Sequence, residues 1–101
     1  MSDEIRMIID LIVKGYAPEK IILFGSNSSG EYNKNNDIDL LVIKNDEKTA
    51  PERNRFVRSL LKDLSIPVDI ITRTPKEFEL LKDVIGTVVF MANKYGKVVY
   101  E

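Results

Sequence analysis

The chain has 101 residues, 15 basic and 16 acidic, with a formal net charge of −1 and a hydrophobic fraction of 44%. That length suits one domain, residues 1–101, with one core and little room for a second lobe; the near-neutral balance argues against a dedicated nucleic-acid surface. Cysteine and histidine are both absent, which excludes disulfides, thiolate or imidazole metal sites and histidine-activated nucleophiles, and leaves carboxylates as the strong metal ligands. No apolar run approaches the ~18 residues of a membrane span and the N-terminus does not read as a signal peptide, so the expected location is cytoplasmic.

Ile5, Ile8, Ile9 and Ile12 follow helical spacing, with Ser2 as the N-cap and Gly15 and Pro18 as stop signals. Ile21–Phe24 reads as a short buried strand. Residues 27–36 hold four asparagines and one glycine, which is loop chemistry with room for one helical turn after Ser26. Asp37–Ile43 reads as a second strand. Alternation puts Asp37, Asp39, Leu41 and Ile43 on one face and Ile38, Leu40 and Val42 on the other. Thr49 and Glu52 match a capping box, with Pro51 in the first turn. The helix they open carries an apolar stripe of Phe56, Val57, Leu60, Leu61 and Leu64, and Arg53, Arg55 and Arg58 are expected on its solvent face.

Ile66–Thr72 reads as a third strand, containing Asp69. Thr74-Pro75-Lys76-Glu77 is a second capping box, and its helix carries Phe78, Leu81 and Ile85, with Phe78 and Leu81 as core residues. Val88, Met91, Ala92 and Tyr95 continue at helical spacing to a cap at Gly96, although Thr87-Val88-Val89 would also suit a strand. Lys97–Tyr100 reads as an edge strand. The class is therefore α+β, a small mixed sheet flanked by helices. Tyr32 and Lys34 read as loop residues, partly and fully solvated.

Aspartate is depleted in strands, so three of them in or beside apolar strands demand an explanation. Asp37 and Asp39 lie about 6.6 Å apart along one strand face. Carboxylates at that spacing can converge on one Mg²⁺ or bridge two ions, and Asp69 completes the set if the third strand lies beside the second. Gly25-Ser26 supplies a turn that lets backbone and hydroxyl approach a phosphate. A divalent metal and a phosphate substrate are the leading expectation.

Gly25-Ser26, ten intervening residues, Asp37-Ile38-Asp39 and a later strand aspartate, Asp69, together resemble the nucleotidyltransferase fold of the DNA polymerase beta superfamily. In detail the chain resembles the minimal nucleotidyltransferase branch, small single-domain prokaryotic proteins. The likeness runs from the leading helix to Gly96–Tyr100 and includes Thr74-Pro75-Lys76-Glu77-Phe78-Glu79. It implies that Gly25 and Ser26 contact a triphosphate, that Asp37 and Asp39 bind two Mg²⁺ ions, and that Asp69 binds metal or activates the acceptor hydroxyl. The implied reaction transfers NMP, AMP from ATP above all, to a hydroxyl and releases pyrophosphate.

The resemblance also implies a helical partner of the HEPN type in a toxin–antitoxin system, with a partner tyrosine as acceptor. A module that acts by binding the partner, and a nucleotide-binding domain without transfer, are the alternatives; a homo-oligomer is left open. Two departures stand out. Asn27 and Ser29 occupy positions where family members often carry arginine, which weakens the expected grip on the triphosphate. Asn36 stands where serine is common before the first aspartate, a mild change, since asparagine also makes local turn hydrogen bonds.

Overall fold

The computed structural model describes residues 1–101. Helix α1 spans Asp3–Tyr16. The Ser2 hydroxyl accepts from the Ile5 N–H at 3.3 Å, Asp3 and Glu4 favour the positive end of the helix dipole, and Ala17 closes the helix in the left-handed region at φ 51°. Gly15 is thus not the cap. It lies in the last turn of α1, where an added Cβ would come within 2.5 Å of Leu60 Cδ2; it is a glycine so that Leu60 can approach α1.

Strand β1 covers Lys20–Phe24, β2 Ile38–Ile43, β3 Val68–Arg73 and β4 Lys97–Tyr100. The sheet order is β3-β2-β1-β4. β1 is antiparallel to β2 and β4, and β2 is parallel to β3. The parallel pair needs a crossover, which α2 (Ala50–Ser59) supplies. Both expected capping boxes form: Thr49 with Glu52 opens α2, and Thr74 with Glu77 opens α3 (Pro75–Leu81). The Thr87 hydroxyl caps α4 (Val88–Tyr95) by accepting from the Phe90 N–H, so the β-branched cluster resolves as helix. Because α3 ends at Leu81, Ile85 falls outside it and is 83% exposed.

Strand alternation in β2 divides the core as expected. Ile38, Leu40 and Val42 join Ile5, Ile8, Ile12, Val57 and Leu61 on the α1/α2 face. Leu41 and Ile43 join Ile22, Phe78, Val89 and Ala92 on the α3/α4 face. Three strand starts move: β1 begins one residue earlier, at Lys20, β2 begins at Ile38, leaving Asp37 just before it, and β3 begins at Val68, after Pro67. Phe56 is also more exposed than the apolar stripe implied; it leans on the Tyr16 ring at 5.7 Å between centroids.

The largest departure is Arg53. It is buried, not solvent-facing. Its Nε donates to Thr72 Oγ1 at 3.2 Å, Nη1 to the Lys48 carbonyl at 2.7 Å, and Nη2 pairs with Glu77 Oε1 at 3.1 Å. The Thr74 N–H, and to a lesser degree Arg53, hold the Glu77 carboxyl below the usual carboxylate range. One guanidinium thus ties the loop before α2 to β3 and α3. Arg53→Met, which keeps the apolar stem and strands these acceptors, is expected to destabilise the fold by about 2–3 kcal/mol in thermal or urea unfolding. Arg55→Met, on the exposed face, should move stability by less than about 0.5 kcal/mol.

Candidate active site

β1 ends at Phe24 because Gly25 adopts φ +74°, a region that side chains disfavour. An added Cβ at Gly25 would also overlap Asp39 Oδ2. The glycine therefore both turns the chain and lets it lie against a carboxylate. The expected helical turn appears as a single 3-10 turn over Gly25–Asn27, with the Ser28 N–H donating to the Gly25 carbonyl at 3.1 Å. Ser26 is exposed on it.

Asp39 is half-buried in β2, and its register partner in the parallel strand is Asp69 of β3. The adjacency that sequence could only assume is therefore present. Asp37, two residues earlier, is exposed at the mouth of the same face. Burial, then the charges of Asp69 and Asp37, raise the Asp39 carboxyl above the usual aspartate value, helped by a hydrogen bond shared with Asp69. The ion pairs of the fold are Lys20–Glu101, Arg53–Glu77 and Lys82–Glu79, so none of the three aspartates stands in a direct ion pair. No three acidic side chains stand close enough to surround one ion. The donor chemistry, carboxylate oxygens alone, is of the type that suits a hard divalent cation such as Mg²⁺.

Two clefts flank the carboxylates. One, of about 350 Å³, is lined by Asp37 and Asp69 with Arg58, Leu61, Ile66, Pro67 and Val68. The other, of about 400 Å³, lies beyond the turn between Phe24, Gly25, Ser28 and the α4 residues Val88, Met91 and Tyr95. The sequence places Arg58 only on a solvent face; its position beside Asp37 and Asp69 follows from the packing of α2 on β3, and no local signal separates it from Arg55. In the sequence Asn27 stands where an arginine is expected. It is instead fully buried, with its amide engaged by loop backbone. Lys34 and Ser29 are exposed, and Tyr32 packs half-buried against the α1-side core.

The model of the nucleotidyltransferase domain family matches residues 5–92. The chain belongs to that family. No curated protein sequence matches it. Among solved structures it is similar to a mutant of the toxin–antitoxin MntA-HpeT, at 23% identity and TM-score 0.63, over 94% of this chain and 71% of that one. A toxin–antitoxin structure with AMP-PNP is similar at 24% identity and TM-score 0.63, over the same shares. A complex of tri-AMPylated Shewanella oneidensis HEPN toxin with MNT antitoxin follows, at 23% identity and TM-score 0.57, over 94% of this chain and 67% of that one. At these identities the likeness is one of fold: a small α+β domain with a four-stranded mixed sheet.

The raised Asp39 carboxyl has a consequence for stability. Its folded value lies above its unfolded one. Folding is thus favoured by this group below the unfolded value, and that contribution is lost as pH rises through the folded value. Near pH 7 the charged group opposes folding, mildly, because solvent still reaches it. Asp39→Asn should raise Tm by about 2–4 °C near pH 7, roughly half a kcal/mol for a domain of this size. The gap should close toward about pH 3, where the carboxyl is protonated in both states. Thermal unfolding followed by circular dichroism across that range measures it.

Proposed function

We propose that this chain is a Mg²⁺-dependent nucleotidyltransferase that moves AMP from ATP to a hydroxyl acceptor. The observation that carries this reading is the in-register pairing of Asp39 with Asp69 beside Gly25, in a chain of the nucleotidyltransferase domain family. The Gly25–Ser26 turn takes the triphosphate, with the Ser26 hydroxyl and loop backbone as donors. Asp37, Asp39 and Asp69 would hold two Mg²⁺ ions, whose positive charge would offset the charge building up around the α-phosphorus. The acceptor oxygen forms a bond to that phosphorus, the bond to the bridging β-phosphate oxygen breaks, and pyrophosphate leaves. Asp69, at the edge of the sheet and facing the cleft, accepts the acceptor proton.

The cleft between Asp69 and the apolar wall of Leu61, Ile66, Pro67 and Val68 supports an acceptor with an aromatic ring next to its hydroxyl. A tyrosine of a HEPN-type helical partner satisfies that requirement, and the fold shared with an MNT antitoxin bound to a tri-AMPylated HEPN toxin supports the same choice. A second reading, neutralisation of the partner by binding alone, is favoured by one observation. Leu80, Val84, Ile85, Met91 and Tyr95 of the α3–α4 region are exposed apolar residues available to a partner surface.

With labelled ATP, Mg²⁺ and a HEPN-type helical protein as acceptor, label should move to that protein and pyrophosphate should appear. Asp37→Asn and Asp39→Asn should each lower that transfer by about a thousandfold or more while the fold persists. Full transfer by a folded double variant would remove the mechanism. Partner neutralisation that survives both substitutions would establish the binding reading instead.

A further inference from the structure

We propose that Asn27 is a positioning residue: its side-chain amide replaces the hydrogen bond that β1 relinquishes at Gly25, and so fixes the direction of the Asp37 carboxylate. The inference rests on the nucleotidyltransferase reading for the role of Asp37. The β1–β2 ladder stops at the Phe24–Asp39 pair. Had it continued, β1 would have gone on to supply backbone partners for the residues that precede Asp39. The turn at Gly25 takes those partners away, and an unpaired backbone carbonyl this close to the core is costly.

Asn27 fills the gap. Its Nδ2 donates to the Asp37 carbonyl at 2.9 Å and to the Asn36 carbonyl at 3.4 Å, while its Oδ1 accepts from the Asn33 N–H at 2.7 Å. The residue is 0% exposed, so its amide is shielded from water. The peptide unit joining Asp37 to Ile38 is held at both ends: Asn27 binds its carbonyl, and its N–H donates to the Pro67 carbonyl at 3.1 Å. With the Asn36 carbonyl bound by the same amide, the peptide units on both sides of Asp37 are held, which sets the direction in which its side chain leaves the backbone. Asp37 needs the help, because it lies outside β2 and is exposed.

The chemistry selects asparagine. The site needs donors toward two carbonyls and an acceptor toward an N–H, within one short planar group. Aspartate offers only acceptors and arginine only donors. The same loop is hooked to α1, since the Gly30 N–H donates to the Asn27 carbonyl at 3.0 Å and the Ser2 N–H to the Gly30 carbonyl at 2.8 Å. The turn that would take the triphosphate and the first aspartate are thereby tied through one side chain.

The test uses Mn²⁺ as a paramagnetic probe of the full chain in amide NMR spectra. In the unsubstituted chain, the Asp37, Asp39 and Asp69 signals should broaden over one Mn²⁺ range. In Asn27→Ala the whole set should need roughly tenfold more Mn²⁺, the size expected when a group that orients a metal ligand is lost. Asn27→Asp keeps the shape and the acceptor for Asn33 but loses the donor, so it should show the same defect if the alanine variant does not fold. Ile12→Val, which loosens the core far from the loop, should keep the original range and so exclude lowered stability as the cause. An unchanged range for Asp37 in a folded Asn27 variant overturns the proposal alone. Absence of broadening at all three aspartates in the unsubstituted chain overturns the metal reading and the positioning role with it.

Discussion

The parallel pairing of β2 with β3 sets two carboxylates, Asp39 and Asp69, directly opposite one another. Like charges across a strand pair oppose pairing by up to about 1 kcal/mol. The pairing holds because the residues on either side are apolar and buried: Ile38, Leu40 and Val42 on β2, and Ile70 on β3. Each such side chain contributes about 1.5–3 kcal/mol when withdrawn from water, so the sheet can carry the repulsion several times over. Period-two alternation makes this arrangement difficult to escape. A one-residue slip would exchange the two faces, taking Ile38, Leu40 and Val42 out of the α1/α2 core and turning Asp39 into it.

Around that constraint the fold is asymmetric. α1 and α2 cover one face of the sheet fully, while α3 and α4 cover only part of the other. The uncovered part is the end where Asp39 lies, next to the turn at Gly25. Arg53 serves the closed part, joining α2, β3 and α3 through Thr72, Lys48 and Glu77. Asn54 reinforces it by accepting from both the Thr72 N–H and its hydroxyl, at 3.2 and 2.8 Å. The edge strand that carries Asp69 is therefore anchored at its far end by side chains of α2, which leaves the Asp69 end free to face a cleft.

What was legible in the sequence was local. Ser2, Thr49 and Thr74 announce their helices because caps act within one turn, and the alternation of Ile38–Ile43 follows from the strand period alone. The three aspartates and Gly25-Ser26 could be singled out because charge and glycine are unusual in such runs. The errors concern residues whose partners lie far along the chain. Arg53 and Arg55 are the same residue type on one helix, and only the packing of β3 distinguishes them. One signal was available: Arg53 precedes Val57 by four residues and Leu61 by eight, which places it on the buried stripe. Gly15 read as a stop signal because nothing near it reveals Leu60. Asn27 was one asparagine among four in a polar loop, and only the folded loop shows that it is the one turned inward.

On the proposed reading, the strand order itself organises the chemistry. Gly25 and Ser26 follow β1, Asp69 belongs to β3, and Asp39 lies on β2 between them. Transfer at phosphorus needs the entering and leaving oxygens on opposite sides of the reacting atom. A triphosphate held on the β1 flank and an acceptor entering along the β3 flank meet that requirement without any moving part, with the α-phosphate over β2. The cleft that contains Arg58 and Asp69 lies on the β3 side, and the turn that faces the Asp39 carboxylate lies on the β1 side. A sheet whose central pair were reversed would put donor and acceptor on the same flank, so the order β3-β2-β1 matters to the reaction as much as any one carboxylate does.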